Sequence, residues 1–456
     1  MSRFLVVVPP SAGHIAPIAG VAAKLAERGH QVAWAGAEQV VAPIARGARI
    51  FDCAVPPPYE PPETIHGFAA LRFLWENTLV PLATAMEPGV RAAAEKFRPD
   101  LVVADQHALA GALVANRLGL RWVTSASTSS EFASSPARMP KADRWLRALT
   151  RDLQQRFGDP RSGEDPRFSR ELVLAFTTRE LAGSGAGAQV RFFGPVIDES
   201  NAGTEFPWAA LDPSRRLLVV ILNTDTPRRF TAECASALLS RSHRIQTVVV
   251  DPAESVPEFD GLVVRRAVPL GALLERASAV VCHAAHDTVS EALYHGVPLV
   301  LAPVRDDQPI VADQVVRAGA GIRLRSSTST AMQIGAAVDA ILDEPAFRDG
   351  AALIGKSLRG AGGPAAAADA LEALVTENAE EETEEQEAGT KKPDKETEKP
   401  DKGTEEPDKE TKEPDKEAEA PVVAPENPAK PANGSDEETK DSREETVSSG
   451  DKPGAP

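Results

Sequence analysis

The sequence predicts an α/β protein: two doubly wound, parallel-sheet domains facing one cleft, followed by an acidic tail. Three observations carry this. Short apolar runs alternate with amphipathic segments in both halves, the pattern of parallel strands joined by crossover helices. Each half also places a histidine at a strand-to-helix junction, in Pro9-Pro10-Ser11-Ala12-Gly13-His14-Ile15-Ala16-Pro17 and in the run from His283 to Leu293. Open α/β sheets bind ligands at such junctions, where strand ends and helix N-termini meet. Finally, composition changes abruptly near Glu377.

Phe4–Val8 reads as a buried strand ended by Pro9-Pro10. Ile18, Val21, Ala22 and Leu25 then recur at helical spacing, and Gly29 supplies the stop. Gln31–Ala35 begins the second strand of this β-α-β unit. Asp100–Ala104, Arg121–Thr124 and Leu172–Phe176 read as strands, and Ala108–Leu118 as a helix. Around Phe193-Gly194-Pro195 the pattern lapses, and Glu199–Pro213 lacks periodicity, as an interdomain connection would. A second series follows. Leu217–Leu222, Ile245–Val250, Ala279–Cys282 and Val297–Ala302 read as strands. Ala232–Leu239, Leu270–Ala277, Thr288–His295 and Gln308–Ala318 read as helices. The expected organisation is a first domain over 1–198, a linker over 199–214, a second domain over 215–375 and a tail over 376–456.

The net charge of −17 belongs almost wholly to that tail: residues 377–456 hold 27 acidic and 12 basic side chains, and the rest of the chain is nearly balanced. The body therefore offers no basic face for nucleic acid. In the tail, Pro393-Asp394-Lys395 returns at Pro400, Pro407 and Pro414. A proline in every repeat forbids a helix, and high charge without apolar residues predicts disorder. Either a solubilising appendage or a docking segment fits that composition, and no partner is named by it. Cys53, Cys234 and Cys282 lie far apart without metal-ligand spacing, and so sparse a set fits a reducing cytoplasm. No apolar run is long enough to span a membrane.

The first junction lacks G-x-G-x-x-G, so a dinucleotide site has no support. His14 there is either a general base, since a neutral imidazole takes a proton near pH 7, or a packing residue of the helix start. Asp105, at the same sheet edge, either orients that imidazole or caps the next helix. In the second half, His283 and Thr288 flank a helix N-terminus that favours an anion. Glu291, one turn later, is placed to accept sugar hydroxyls. Asp306 and Asp307 either cap the next helix or, with Gln308, face a hexose.

These stretches together resemble the nucleotide-sugar-dependent glycosyltransferases of the GT-B fold, in the family acting on antibiotics and other small molecules. The resemblance rests on Gly13-His14-Ile15-Ala16-Pro17, Arg28-Gly29-His30-Gln31-Val32, Phe193-Gly194-Pro195, Val268-Pro269-Leu270, His283 to Leu293, Gly296-Val297-Pro298-Leu299-Val300, Asp307-Gln308 and Gly319-Ala320-Gly321, across roughly residues 1–375. It implies an inverting hexosyltransferase without a bound metal or tight cofactor, moving a hexose or deoxyhexose from a UDP- or dTDP-sugar to a hydroxyl of an apolar small molecule. His14 would be the base and Asp105 its orienting carboxylate. The donor would lie against Thr224, Val268, His283, Thr288, Glu291, Asp307 and Gln308. Phe68, Phe73 and Trp75, on an apolar stretch of the first domain, would line the acceptor pocket or else be ordinary helix core. Three departures touch the donor side. Ala284-Ala285 replaces a glycine pair, Asp287 replaces an asparagine, and Asn223 replaces the glycine before Thr224. They open an alternative, a GT-B-shaped binding or helper protein whose donor site has decayed.

Overall fold

The computed structural model describes residues 1–45, 47–57, 68–129, 140–183, 185–197, 203–223, 225–252, 256 and 261–390. The side chains of 378–390 and the whole of 391–456 lie outside that description, and with them the repeats of the tail.

The first lobe runs β1 (Arg3–Val7), α1 (Ala12–Glu27), β2 (Gln31–Gly36), α2 (Glu38–Ala45), β3 (Arg49–Asp52), α3 (Phe68–Phe73), a π-helical stretch Leu74–Leu79, α4 (Val80–Phe97), β4 (Leu101–Asp105), α5 (Ala110–Leu118), β5 (Trp122–Ala126), α6 (Pro140–Phe157), β6 (Val173–Ala175), α7 (Arg179–Ala182) and β7 (Val190–Phe192). Its strands form one parallel sheet in the order β3-β2-β1-β4-β5-β6-β7.

The second lobe runs β8 (Arg216–Ile221), α8 (Arg228–Leu239), β9 (Ile245–Val250), β10 (Leu262–Arg265), α9 (Leu270–Leu274), β11 (Ala277–Cys282), α10 (His286–Tyr294), β12 (Leu299–Leu301), α11 (Gln308–Arg317), β13 (Gly321–Arg323), α12 (Ala331–Asp343) and α13 (Pro345–Gly360). Its sheet is also parallel, ordered β10-β9-β8-β11-β12-β13. Strand order reverses beside β1 and β4 in one lobe and beside β8 and β11 in the other. Ligands of doubly wound sheets bind at such switch points. His14 and Asp105 stand at the first, and Asn223 and His283 at the second.

The strand cores are Val-, Ile-, Leu- and Ala-rich and covered on both faces by helices, as buried parallel strands require. The last helix, α14 (Gly363–Thr390), corrects the expected domain boundary. Its Ala367, Ala368, Ala370 and Leu371 are buried with Ile18, Val21 and Leu25 of α1, so this stretch belongs to the first lobe's core rather than to a domain ending at 375. Arg28 binds Asp369 and Glu372 at 2.7 Å each, and His30 binds Glu372 at 2.9 Å. The helix continues past Glu377, where composition alone predicts disorder to begin. No helix among the described residues is long and apolar enough to cross a membrane.

The chain crosses between lobes at Phe193-Gly194-Pro195 and returns near Gly363. Gly363 N donates to Phe193 O at 2.8 Å. Gly194 holds φ +73, and a Cβ there would stand 2.7 Å from the Leu358 carbonyl oxygen. Only glycine satisfies both the left-handed backbone and that close approach.

Candidate active site

His14 lies in the first turn of α1, and its ring reaches across to β4. Asp105, the last residue of β4, is 1% exposed. His14 Nδ1 stands 2.9 Å from Asp105 Oδ1. A carboxylate has no hydrogen to give, so Nδ1 carries the proton and Nε2 keeps its lone pair. Asp105 Oδ1 also accepts from His107 N at 2.8 Å, and Oδ2 accepts from Ser127 Oγ at 3.0 Å. Helix α5 begins later, at Ala110 with Leu109 as its N-cap. The Asp105 carboxylate thus faces His14, His107 N and Ser127 and does not cap α5. The His107 ring stacks on His14 with centroids 4.5 Å apart.

Across the cleft, His283 follows β11. Burial pushes its imidazole below the usual histidine range, against the pull of Asp287, and its Nδ1 is buried without a hydrogen-bond partner. The ring is hydrogen-bonded to the Ile221 carbonyl, which leaves Nδ1 as a buried acceptor. Ala284 holds φ +66, in the left-handed region. Its methyl is completely buried in the core cluster of the second lobe, so it points into the core and not toward a ligand. Asp287 Oδ1 accepts from Thr288 N at 2.7 Å. A carboxylate thus already occupies one of the free N–H groups that the start of α10 would offer to a phosphate. His286 Nε2 lies 3.3 Å from Phe176 O of the first lobe.

Glu291 sits one turn into α10, with Oε1 3.7 Å from where a Cβ on Gly271 would stand. Val268 is 5% exposed, its side chain within the core, which leaves the main chain of Arg266–Leu270 to meet a base. Asp307 holds the N-cap position of α11 but makes no side-chain cap bond. It accepts instead from Thr128 Oγ1 of the first lobe. Gln308 is buried, and its Oε1 accepts from Val304 N at 2.8 Å and Arg305 N at 3.1 Å. With both lone pairs engaged, Gln308 has only its amide hydrogens for a sugar. Thr224 lies outside the described residues. Its neighbour Asn223 closes a turn with Thr226, whose Oγ1 donates to Asn223 Oδ1 at 2.8 Å.

On the acceptor side, Phe68 is exposed and meets Trp145 edge-on at 5.6 Å. Phe73 is half-buried at the end of α3. Trp75 corrects the expectation: its ring is fully buried with Leu79, Ala83, Leu109, Leu113 and Leu153, so it packs as core. Residues 58–67 and 130–139, which flank this region in sequence, lie outside the described residues. No cluster of three metal-ligating side chains occurs among the described residues.

Sequence reasoning missed Ser127, Thr128 and Arg305. Arg305 Nη2 binds Asp225 Oδ2 at 2.5 Å and its Nε stands 3.4 Å from Asp306 Oδ2, bringing a cation to the donor-side loops. A hydroxyl-rich run directly after a strand, Thr124-Ser125-Ala126-Ser127-Thr128-Ser129, was the available sign for the first two.

Residues 245–374 match the family described as "Erythromycin biosynthesis protein CIII-like, C-terminal domain". The chain is 27% identical to 4'-demethylrebeccamycin synthase of Lentzea aerocolonigenes, over 82% of this chain and 100% of that protein. It is 28% identical to demethyllactenocin mycarosyltransferase of Streptomyces fradiae, over 83% of this chain and 88% of that one. Among solved structures, spinosyn rhamnosyltransferase SpnG complexed with thymidine diphosphate superposes with TM-score 0.66 at 22% identity, covering 82% of this chain and 100% of that chain.

Proposed function

Because this chain belongs to the GT-B-fold glycosyltransferases of the antibiotic and small-molecule family, we propose that it is an inverting enzyme carrying a hexose or deoxyhexose from a UDP- or dTDP-sugar to a hydroxyl of an apolar acceptor. The observation that carries the reading is the assembled His14–Asp105 pair at the switch point of the first sheet. Nε2 of His14 removes the acceptor hydroxyl proton as that oxygen bonds to the anomeric carbon. The bond from that carbon to the diphosphate oxygen breaks on the opposite face, so configuration inverts. Asp105 holds the ring in the required tautomer and stabilises the imidazolium that forms. On the other lobe, the start of α10, directly after His283, is suited to the departing diphosphate. Thr288 adds a hydroxyl there, Glu291 suits the ribose, and Asp307 with the Gln308 amide suits the sugar. Phe68 and Phe73 are the apolar residues retained for the acceptor.

A natural-product acceptor agrees with the two relatives, named for rebeccamycin and lactenocin chemistry. The dTDP donor agrees with the thymidine diphosphate named for the SpnG structure. A reducing cytoplasm remains the expected compartment, on the three free cysteines. A second reading is favoured by one observation: in the first turn of the helix where the donor's phosphates would bind, the Asp287 carboxylate accepts from Thr288 N. On that reading the protein retains the fold and binds without catalysis.

Replacing the base separates the two. His14→Ala should cut transfer by about a hundred- to ten-thousand-fold, and leave nucleotide binding nearly unchanged because His14 sits in the other lobe. Transfer retained in this variant would remove His14 as the base.

A further inference from the structure

Strand β5 ends at Ala126, and the next three side chains leave it in different directions. Ser127 Oγ stands 2.6 Å from His14 Nδ1 and donates to Asp105 Oδ2 at 3.0 Å. Thr128 Oγ1 donates across the cleft to Asp307 Oδ2. Ser129 Oγ donates across the cleft to Gln314 Oε1 of α11 at 2.9 Å. All three residues are buried, and so is Gln314. One uninterrupted run of hydroxyls therefore touches the base of one lobe and two side chains of the other.

Two properties make this more than packing. Bonds to the buried carboxylate of Asp105 and the half-buried one of Asp307 are charge-assisted, and these are the stronger kind. Consecutive Cα atoms are only about 3.8 Å apart, and serine and threonine side chains are short. Ser127 cannot keep its place against His14 if Thr128 and Ser129 are drawn away. Asp105 Oδ1 is shared between His14 and the His107 N–H, so Ser127 is what fixes its other oxygen.

On the reading of His14 as the base, we propose that Ser127 is its positioning residue and that Thr128 and Ser129 couple that position to the donor lobe, so the base is set only when the lobes are apposed. Ser127 fixes the carboxylate that selects the imidazole tautomer. Apposition supplies the partners that hold Ser127. Parting of the lobes frees Thr128 from Asp307 and lets the imidazole leave the one tautomer that can accept a proton at Nε2.

The test reads His14 directly and needs no substrate, so it is independent of whether a donor binds. The full chain is labelled with 15N-histidine, and the His14 resonances are assigned by their loss in His14→Gln. In the wild type His14 shows a single tautomer with a protected Nδ1–H signal. Ser127→Ala loses that signal and shifts His14 to a mixture of tautomers. The double variant Thr128→Val with Ser129→Ala does the same, although neither residue touches His14. Thr128→Ser, which keeps the hydroxyl, restores the wild-type pattern. Should burying an unpaired Gln314 unfold the double variant, Thr128→Val alone carries the comparison. A wild-type His14 spectrum in Ser127→Ala overturns the positioning role. A wild-type spectrum in a folded Thr128→Val variant overturns the coupling.

Discussion

At the scale of single residues, the loop before α10 offsets part of the cost of its alanine. Ala284 sits at φ +66, where an L-residue loses about 1–2 kcal/mol. Its fully buried methyl returns about 0.8 kcal/mol. The methyl offsets part of the strain and lies in the core, away from any ligand that approaches the start of α10. Asp287 is the departure that matters. Its carboxylate accepts from Thr288 N at 2.7 Å and puts a negative charge where a diphosphate would approach. An asparagine carbonyl could accept from the same N–H and carries no charge. Asp287→Asn should therefore tighten nucleoside diphosphate binding several-fold, in line with about 0.3–1 kcal/mol for a charge at a helix end. Calorimetric titration at low salt measures it. Unchanged affinity would mean that the carboxylate lies outside the diphosphate's path.

At the scale of elements, the alternation of apolar strands and helices was readable because parallel strands buried on both faces stay apolar along their length. Val6, Val103, Val219 and Val281 show this. Boundaries moved where tertiary structure intervened. The helix expected over Leu270–Ala277 stops at Leu274 because Ala277 already pairs in β11. Asp105 is inside β4, not after it, since it pairs with Ser125. The three-residue β13 escaped notice because it is short and set by its neighbour β12. His14 and Asp105 were legible because each stands at a sheet edge that the strand pattern reveals. Ser127, Thr128 and Arg305 were not, because their partners His14, Asp307 and Asp225 lie far away in sequence, and Thr128 meets its partner only through lobe apposition. The crossover shows the same dependence on context. Gly194→Ala should destabilise the protein by about 2–4 kcal/mol, adding left-handed strain to a clash with Leu358 O. Gly29→Ala, at φ +86 with nothing within 4 Å, should cost only the strain, about 1–2 kcal/mol. Equal losses in denaturant unfolding would mean that the crossing at Gly194 is not tightly packed.

At the scale of the molecule, the first lobe is closed by both ends of the body, since α14 returns to α1 and Arg121 Nη1 donates to Leu374 O at 2.8 Å. A chain cut near 375 would remove part of that helix, so binding experiments belong on the full chain. On the proposed mechanism the base comes from the first lobe and the donor-side residues from the second, and Thr128 binds Asp307 between them. Chemistry on this plan needs both halves working, and the donor half is the altered one. The most direct measurement is calorimetric titration of the full chain with dTDP and with UDP, repeated on His283→Ala. Saturable binding of one of them, weakened tenfold or more when His283 is removed, is the result predicted. No binding of either at millimolar concentration, or binding indifferent to His283, would contradict the glycosyltransferase mechanism and leave the non-catalytic reading.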